Sequence, residues 1–277
     1  MHVSLDSALG RQRRLNSVGE SVLQIAPNAA AAYSLRSLTG GDPKVVRVRR
    51  DTGGGAGDND EQDFTASGIS SGALVAFVGS GNDGFVETWY DQSGNSEDAV
   101  QATAGSQPKI VNAGSLVVLS GVPALLFDGS FFVATGFAFS PSGDFLAVTV
   151  SKISTGNLID TRDGGSDGFF IQQGSSDVRY RYNGDGSIDV SGNNQHIIST
   201  VELNGTTLTA YKDGSSAGTD TVTAGLSTTE ALSIGKVAFS SANALAGSVQ
   251  EVILYATDKS ANRVALETNI NSHYSIF

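Results

Sequence analysis

Eight Asp-Gly or Asn-Gly pairs punctuate the chain, and they constrain its fold more than any other feature. They are Asp83-Gly84, Asp128-Gly129, Asp163-Gly164, Asp167-Gly168, Asn183-Gly184, Asp185-Gly186, Asn204-Gly205 and Asp213-Gly214. Such pairs tolerate the positive φ that tight hairpin turns require. Between them lie short β-prone runs at 145–150, 157–161, 168–172, 178–182, 196–203, 206–212, 231–234 and 249–255. Several alternate: Val178, Tyr180 and Tyr182 fall on one face of a strand, and Arg179 and Arg181 on the other. Short alternating strands with little helix predict an all-β fold, an antiparallel two-sheet sandwich.

The front of the chain reads differently. Residues 1–27 are set off as an N-terminal arm, with Ser4 or Asp6 capping a short helix through Leu5 and Leu9, and Pro27 ending the segment. Arg11, Arg13 and Arg14 form its basic patch, either a solvated helix face or a dock for an acidic partner. Residues 28–277 then make one sandwich domain. Asn28 and the run Ala29–Ala32, Tyr33, Leu35 and Leu38 predict a helix stopped by Gly40-Gly41. Val45, Val46 and Val48 predict a strand, 51–63 a surface loop, and 73–78 a short helix capped by Ser70 or Ser71. A C-terminal helix starts at Ser260 and carries Leu266, Ile270 and Tyr274 on one stripe.

Charge and composition exclude whole classes. The 277 residues carry a formal net charge of -11, which repels phosphate backbones and anionic bilayers. Nucleic acid and membrane insertion are therefore not expected. With no cysteine there can be no disulfide staple and no thiolate metal site. The N-terminus shows no signal-peptide apolar stretch, because Asp6, Arg11, Arg13 and Arg14 interrupt it.

Two stretches carry a family likeness. In the C-terminal half, 204–214 (Asn-Gly-Thr-Thr-Leu-Thr-Ala-Tyr-Lys-Asp-Gly), Leu232-Ser-Ile-Gly235 and 245–255 (Leu-Ala-Gly-Ser-Val-Gln-Glu-Val-Ile-Leu-Tyr) follow in order. That order resembles the jelly roll of laminin-G-like, concanavalin A-like modules. In the front half, 32–36 (Ala-Tyr-Ser-Leu-Arg), 46–50 (Val-Arg-Val-Arg-Arg), 61–63 (Glu-Gln-Asp), 88–95 (Thr-Trp-Tyr-Asp-Gln-Ser-Gly-Asn) and 107–111 (Gln-Pro-Lys-Ile-Val) occur in sequence. This array is similar to the catalytic sandwich of arabinofuranosidase B enzymes. It also resembles structural and tail-associated phage proteins that pair the same blocks with a laminin-G-like half.

A retaining glycosidase needs two carboxylates about 5–5.5 Å apart. The resemblance puts Leu146 at the position of the enzymes' nucleophile and Val237 at that of their acid/base. Neither can do that chemistry, so the resemblance implies a protein that is not an enzyme. The rival reading is an arabinofuranosidase-like glycoside hydrolase working through Asp144, Asp160 or Glu251, and a third is a free carbohydrate-binding module.

Other constellations are open to two readings. Asp91 is either a ligand or a turn carboxylate capping backbone N–H groups, with Trp89 filling the core. Tyr180, Tyr182 and Tyr211 are candidate sugar-stacking rings, or ordinary strand packing. Asp160, Asp163 and Asp167 are candidate calcium ligands at a sandwich rim, or solvated loop acids. A Ser/His/Asp triad is not excluded by spacing, although no Gly-x-Ser-x-Gly elbow is present. No other cofactor is expected. The resemblance implies a virion structural protein on the exterior of a tailed phage: a tail fibre, spike or capsid decoration that contacts host surface glycans. Arg11, Arg13 and Arg14 would attach it, and its expected partners are other virion proteins and further copies of itself.

Overall fold

The protein is described by a computed structural model over residues 19–164, 167–174, 176–192, 194–223, 225–226 and 228–277. Arg11, Arg13 and Arg14 lie outside the described residues. The strands are β1 (Ala31–Ser34), β2 (Lys44–Asp51), β3 (Glu61–Thr65), β4 (Asp83–Trp89), β5 (Lys109–Asn112), β6 (Leu125–Asp128) and β7 (Phe145–Asp160). They continue as β8 (Phe169–Gln173), β9 (Asp177–Tyr182), β10 (Gly186–Ser191), β11 (His196–Asn204), β12 (Thr207–Lys212), β13 (Ser215–Thr221) and β14 (Ala246–Tyr255). Four short helices accompany them: α1 (Val22–Ile25), α2 (Ala66–Ser70), α3 (Ala73–Val78) and α4 (Ser260–Tyr274).

Every strand pairing among these elements is antiparallel. One layer runs β3–β2–β4–β5–β6–β14–β7–β11–β12–β13, with β1 beside the far half of β14. The long strand β7 then leaves that layer. Its first part pairs with β14 and β11, whereas 156–160 pair with β8 and with the short strand Ser233–Ile234. Register shifts between Ile153 and Thr155, and between Asn157 and Ile159, bend it. Gly156 sits at the bend with φ +91, and a Cβ there would lie 2.2 Å from the Ala244 carbonyl oxygen. Only glycine fits.

The second layer, β8–β9–β10 with Ser233–Ile234, returns to β4 through Phe132–Val133 and Ala99–Val100. The result is a closed, barrel-like sandwich. Its main core holds Trp89, Phe127, Phe132, Phe145, Phe169, Tyr180 and Tyr182. A second core lies on the outer face of the first layer, where α1 and α4 cover Leu146, Val148, Val150, Ile198 and Ile253. Leu266, Ile270 and Tyr274 of α4 point into it, as their spacing predicts.

Three local expectations change. The alanine-rich run at 29–38 holds a strand, not a helix. All of β1 is buried, with Ala31 and Tyr33 in the main core and Ala32 in the second, so packing on both faces overrides helix propensity. The stretch before Pro27 packs against the sandwich: Val22, Ile25 and Ala26 are buried in the second core. Helix caps also differ. Gly72, not a serine, precedes α3, and the Asp258 carboxylate accepts from the Ser260 N–H at 2.8 Å ahead of α4. No helix among the described residues is long and apolar enough to cross a membrane.

Candidate functional site on the outer sheet face

Residues directly opposite each other in paired strands share a face. Following the register across the first layer gives one such row: Arg49, Phe85, Lys109, Leu126, Ser248, Lys152 and His196. At the usual strand spacing it spans roughly 29 Å. Core residues flank it in sequence, since Val48, Ile110, Leu125, Phe127 and Val249 point inward. The row is therefore the outward half of the alternation, on the same face that α4 covers further along.

Two adjoining cavities open on this row. The smaller, about 260 Å³, is lined by Phe85, Gly105, Gln107, Lys109, Leu126, Asp128 and Ser130. The larger, about 460 Å³, includes Val118, Leu126, Asp128, Lys152, Ser154 and Asn194. Leu126 and Asp128 belong to both, which makes a continuous groove.

The groove mixes apolar and polar surface. Leu126 is 37% and Val118 52% exposed, which is high for such residues. The Phe85 ring lies with the Arg49 guanidinium 5.0 Å and the Lys109 ammonium 5.3 Å from its centroid. Arg49 and Lys109 are already committed. Arg49 donates to Gln107 and Asn59, and Lys109 pairs with Asp83 at 2.7 Å. Among the described residues Asp128 and Lys152 have no ion-pair partner, and the buried Ser130 hydroxyl has no hydrogen-bond partner. An acceptor, a cation and a hydroxyl thus face an apolar floor. Polyhydroxylated ligands need that combination.

The structure moves the expected ligand rings elsewhere. Tyr180 and Tyr182 are fully buried in the main core, because the face they share is the inward one. Tyr180 donates to the Ser199 hydroxyl at 2.9 Å, and burial pushes its pKa up to about 12. Tyr211 is half-buried, donates to Glu202, and carries the Arg263 guanidinium 3.7 Å above its ring. None of the three is a free stacking platform.

Among the described residues no three His, Asp or Glu side chains come together in a metal-binding group. Asp160 is fully buried and is gripped by Arg162 and by the Asn157 amide. Arg162 itself lies 3.8 Å from the Phe170 ring centroid.

Leu146 and Val237 are both buried. Leu146 pairs with Tyr255 near the start of β7, under α4. The turn carrying Val237 follows Ile234, which pairs with Ile159 near the other end. Thirteen positions of the bent strand β7 separate the two pairings. The alternative acids are engaged: Asp144 accepts from the Gly205 N–H at 2.7 Å, and Glu251 is fully buried against Arg36.

The 88–95 block is scaffolding. Trp89 is fully buried beside Tyr33 and Phe132. Asp91 accepts from the Ala32, Ser93 and Glu97 N–H groups and from the Ser93 hydroxyl. Gln92 accepts from the Leu38 N–H and donates to the Ser34 and Arg36 carbonyls. Asn95 donates to the Ala29 and Ala30 carbonyls. These side chains hold 29–38 in place and explain why a strand, not a helix, forms there.

No family model and no curated protein matches the chain. Solved structures do. A GH54 α-L-arabinofuranosidase soaked with a cyclic sulfate inhibitor aligns with a TM-score of 0.64 over 90% of this chain, at 14% identity. The two share a fold. An arabinofuranosidase complexed with arabinofuranosyl-α-1,2-xylobiose gives 0.59 over 87%, at 15% identity. The binding domain of Paraclostridial Mosquitocidal Protein 1 gives 0.50 over 68% of this chain and 50% of its own, at 14% identity. The chain spans 64% and 62% of the two arabinofuranosidase structures, so it matches only part of them.

Proposed function

We propose that this protein is a structural component of a tailed-phage virion, a tail fibre, spike or capsid decoration of the concanavalin A/laminin-G jelly-roll type, whose outer-face groove contacts host glycans. The groove carries this reading. It offers an apolar floor at Phe85 and Leu126 beside the Asp128 carboxylate and the Lys152 ammonium, neither of which has an ion-pair partner among the described residues. A sugar ring presents an apolar face and a rim of hydroxyls, which matches that arrangement.

Glycosidase chemistry is not part of the proposal. Asp160 and Glu251 are neutralised by arginines, and Asp144 serves a backbone N–H. The shared fold with arabinofuranosidases nevertheless makes hydrolysis the rival to test. The phage assignment rests on the resemblance carried by the sequence blocks at 88–95 and 107–111.

A glycan array tests the groove, with wild type compared against Asp128→Ala and Lys152→Ala. Binding that both substitutions weaken at least tenfold supports it. Binding unchanged in both, or no binding at all, removes the glycan role. Hydrolysis of 4-nitrophenyl arabinofuranoside above the no-protein rate would replace the structural reading with an enzymatic one. Antibody labelling of intact particles tests the virion location, and absence from particles overturns it.

A further inference from the structure

A two-residue hairpin lies over the outer sheet face beside the groove. Val118–Leu119 pairs with Val122–Pro123, and Ser120 (φ 51) and Gly121 (φ 82) form the turn. Both turn residues have positive φ, as the primed hairpin turns require. Ser120 is exposed at its tip.

The Ser120 hydroxyl lies 2.9 Å from His196 Nδ1, and His196 Nε2 lies 2.8 Å from Gln250 Oε1. The Gln250 amide is fixed in orientation. Its nitrogen donates to the Leu119, Val122 and Pro123 carbonyls at 3.3, 3.1 and 3.2 Å, so its oxygen faces the imidazole. That oxygen can only accept. The imidazole proton therefore resides on Nε2, and the Nδ1 lone pair points at the serine hydroxyl.

The hairpin is pinned to a fixed platform. Gln250 is fully buried, at the register shift where β14 opposes Val150 and Ser151. Nucleophile, base and orienting group thus follow one another at hydrogen-bond distance, with the nucleophile exposed to solvent.

We infer that Ser120, His196 and Gln250 form an acyl-transfer centre that hydrolyses esters of small acyl groups. Ser120 Oγ adds to the ester carbonyl carbon while its proton passes to His196 Nδ1, and the carbonyl π pair moves onto oxygen. Collapse of that intermediate breaks the bond to the alcohol, which leaves with the proton from Nδ1. Water, deprotonated by the same nitrogen, then adds to the acyl carbon, and collapse breaks the bond to Ser120 Oγ, which takes the proton back from Nδ1 as the carboxylic acid leaves. Leu119 and Val118, on the strand entering the turn, line the larger cavity, so a ligand in the groove brings its acyl groups near the serine.

Burial, more than the flanking charges, suits a neutral base. Burial is the main cause that holds the His196 pKa below its ordinary value, with Lys152 acting in the same direction, while the Gln250 hydrogen bond and Asp213 oppose it. A neutral amide orients the ring but does not stabilise the imidazolium as a carboxylate does. The expected turnover is therefore slow.

The test uses the full chain, a fluorophosphonate probe and 4-nitrophenyl acetate. Wild type should be labelled at Ser120, as located by peptide mass spectrometry, and should hydrolyse the ester faster than buffer. Ser120→Gly, which suits the positive φ, should lose labelling and at least about 100-fold of the rate, with its thermal unfolding unchanged. His196→Gln should lose the same activity with the serine in place. The rate should rise with pH and level off once His196 is neutral. An unlabelled wild type overturns the inference. So does a Ser120→Gly variant that hydrolyses at the wild-type rate, since attack would then come from the imidazole itself.

Discussion

Arg36 holds Glu251 through two hydrogen bonds, Nε to Oε2 at 2.8 Å and Nη2 to Oε1 at 3.1 Å, with the carboxylate fully buried. Ser34 and Tyr274 donate their hydroxyls to Glu251 Oε2, at 2.9 and 3.0 Å. Burial works against the Arg36 charge, but Glu251 more than compensates and keeps the guanidinium protonated. The pair ties β1, β14 and α4 together at a point where no backbone ladder reaches the helix.

Removing one partner leaves the other charge buried alone. Arg36→Met should cost about 3–5 kcal/mol of unfolding free energy, read from urea denaturation. Replacing both, Arg36→Met with Glu251→Leu, should cost clearly less than the single change, because no orphan charge remains. Equal losses in the single and the double variant would show that the pair carries packing and not charge compensation.

The Asp91 carboxylate accepts from three backbone N–H groups and from the Ser93 hydroxyl. Asp91→Ala strands the N–H groups of Ala32, Ser93 and Glu97, and should destabilise the protein by about 3 kcal/mol. Asp91→Asn, which keeps one acceptor, should recover part of that loss. Circular-dichroism melts of the two variants check the order.

The strand calendar of the C-terminal half was legible because Asp-Gly and Asn-Gly turns act locally: Asn183 and Asp213 both adopt positive φ where the pairs place them. Residues 29–38 were not legible. Their alanines favour helix, and what decides their state is Asp91, Gln92 and Asn95, some 60 positions away. The alternation that placed Tyr180 and Tyr182 on one face was right, but period two does not say which face is inward. The groove was hidden for a related reason. Phe85, Lys109, Leu126 and Lys152 come from four separate strands, and only the pairing register sets them in a row. A sequence shows the alternation within each strand, not the register between them.

Glu267 on α4 sits against β11 and β12, where Glu202, Tyr211, Thr200 and Arg263 surround it. Burial raises its pKa above the ordinary 4.5, and Glu202 adds to the rise, while Thr200 and Arg263 oppose it. An acid whose folded pKa is raised binds its proton more tightly in the folded state. Its contribution is full below pH 4.5 and is lost as pH climbs through the folded value. Glu267→Gln mimics the protonated form, so it should melt higher than wild type at pH 7–8, and the difference should vanish below pH 4.5. A variant that melts lower than wild type at pH 7 would show that the ion pair with Arg263 dominates.

The groove and the tyrosine core separate ligand binding from stability. Tyr180→Phe removes one buried hydrogen bond to Ser199 and should cost about 1 kcal/mol of stability, with glycan binding unchanged. Phe85→Ala should do the reverse at the site. Phe85 is only half-buried, its backbone stays in β4, and its ring forms the wall between Arg49 and Lys109. Loss of that ring removes the apolar surface on which a sugar face would lie, and binding should fall at least tenfold. Measuring both variants on the same glycan surface decides between the two locations. If Tyr180→Phe weakens binding and Phe85→Ala does not, the ligand face is not the outer row of the first layer.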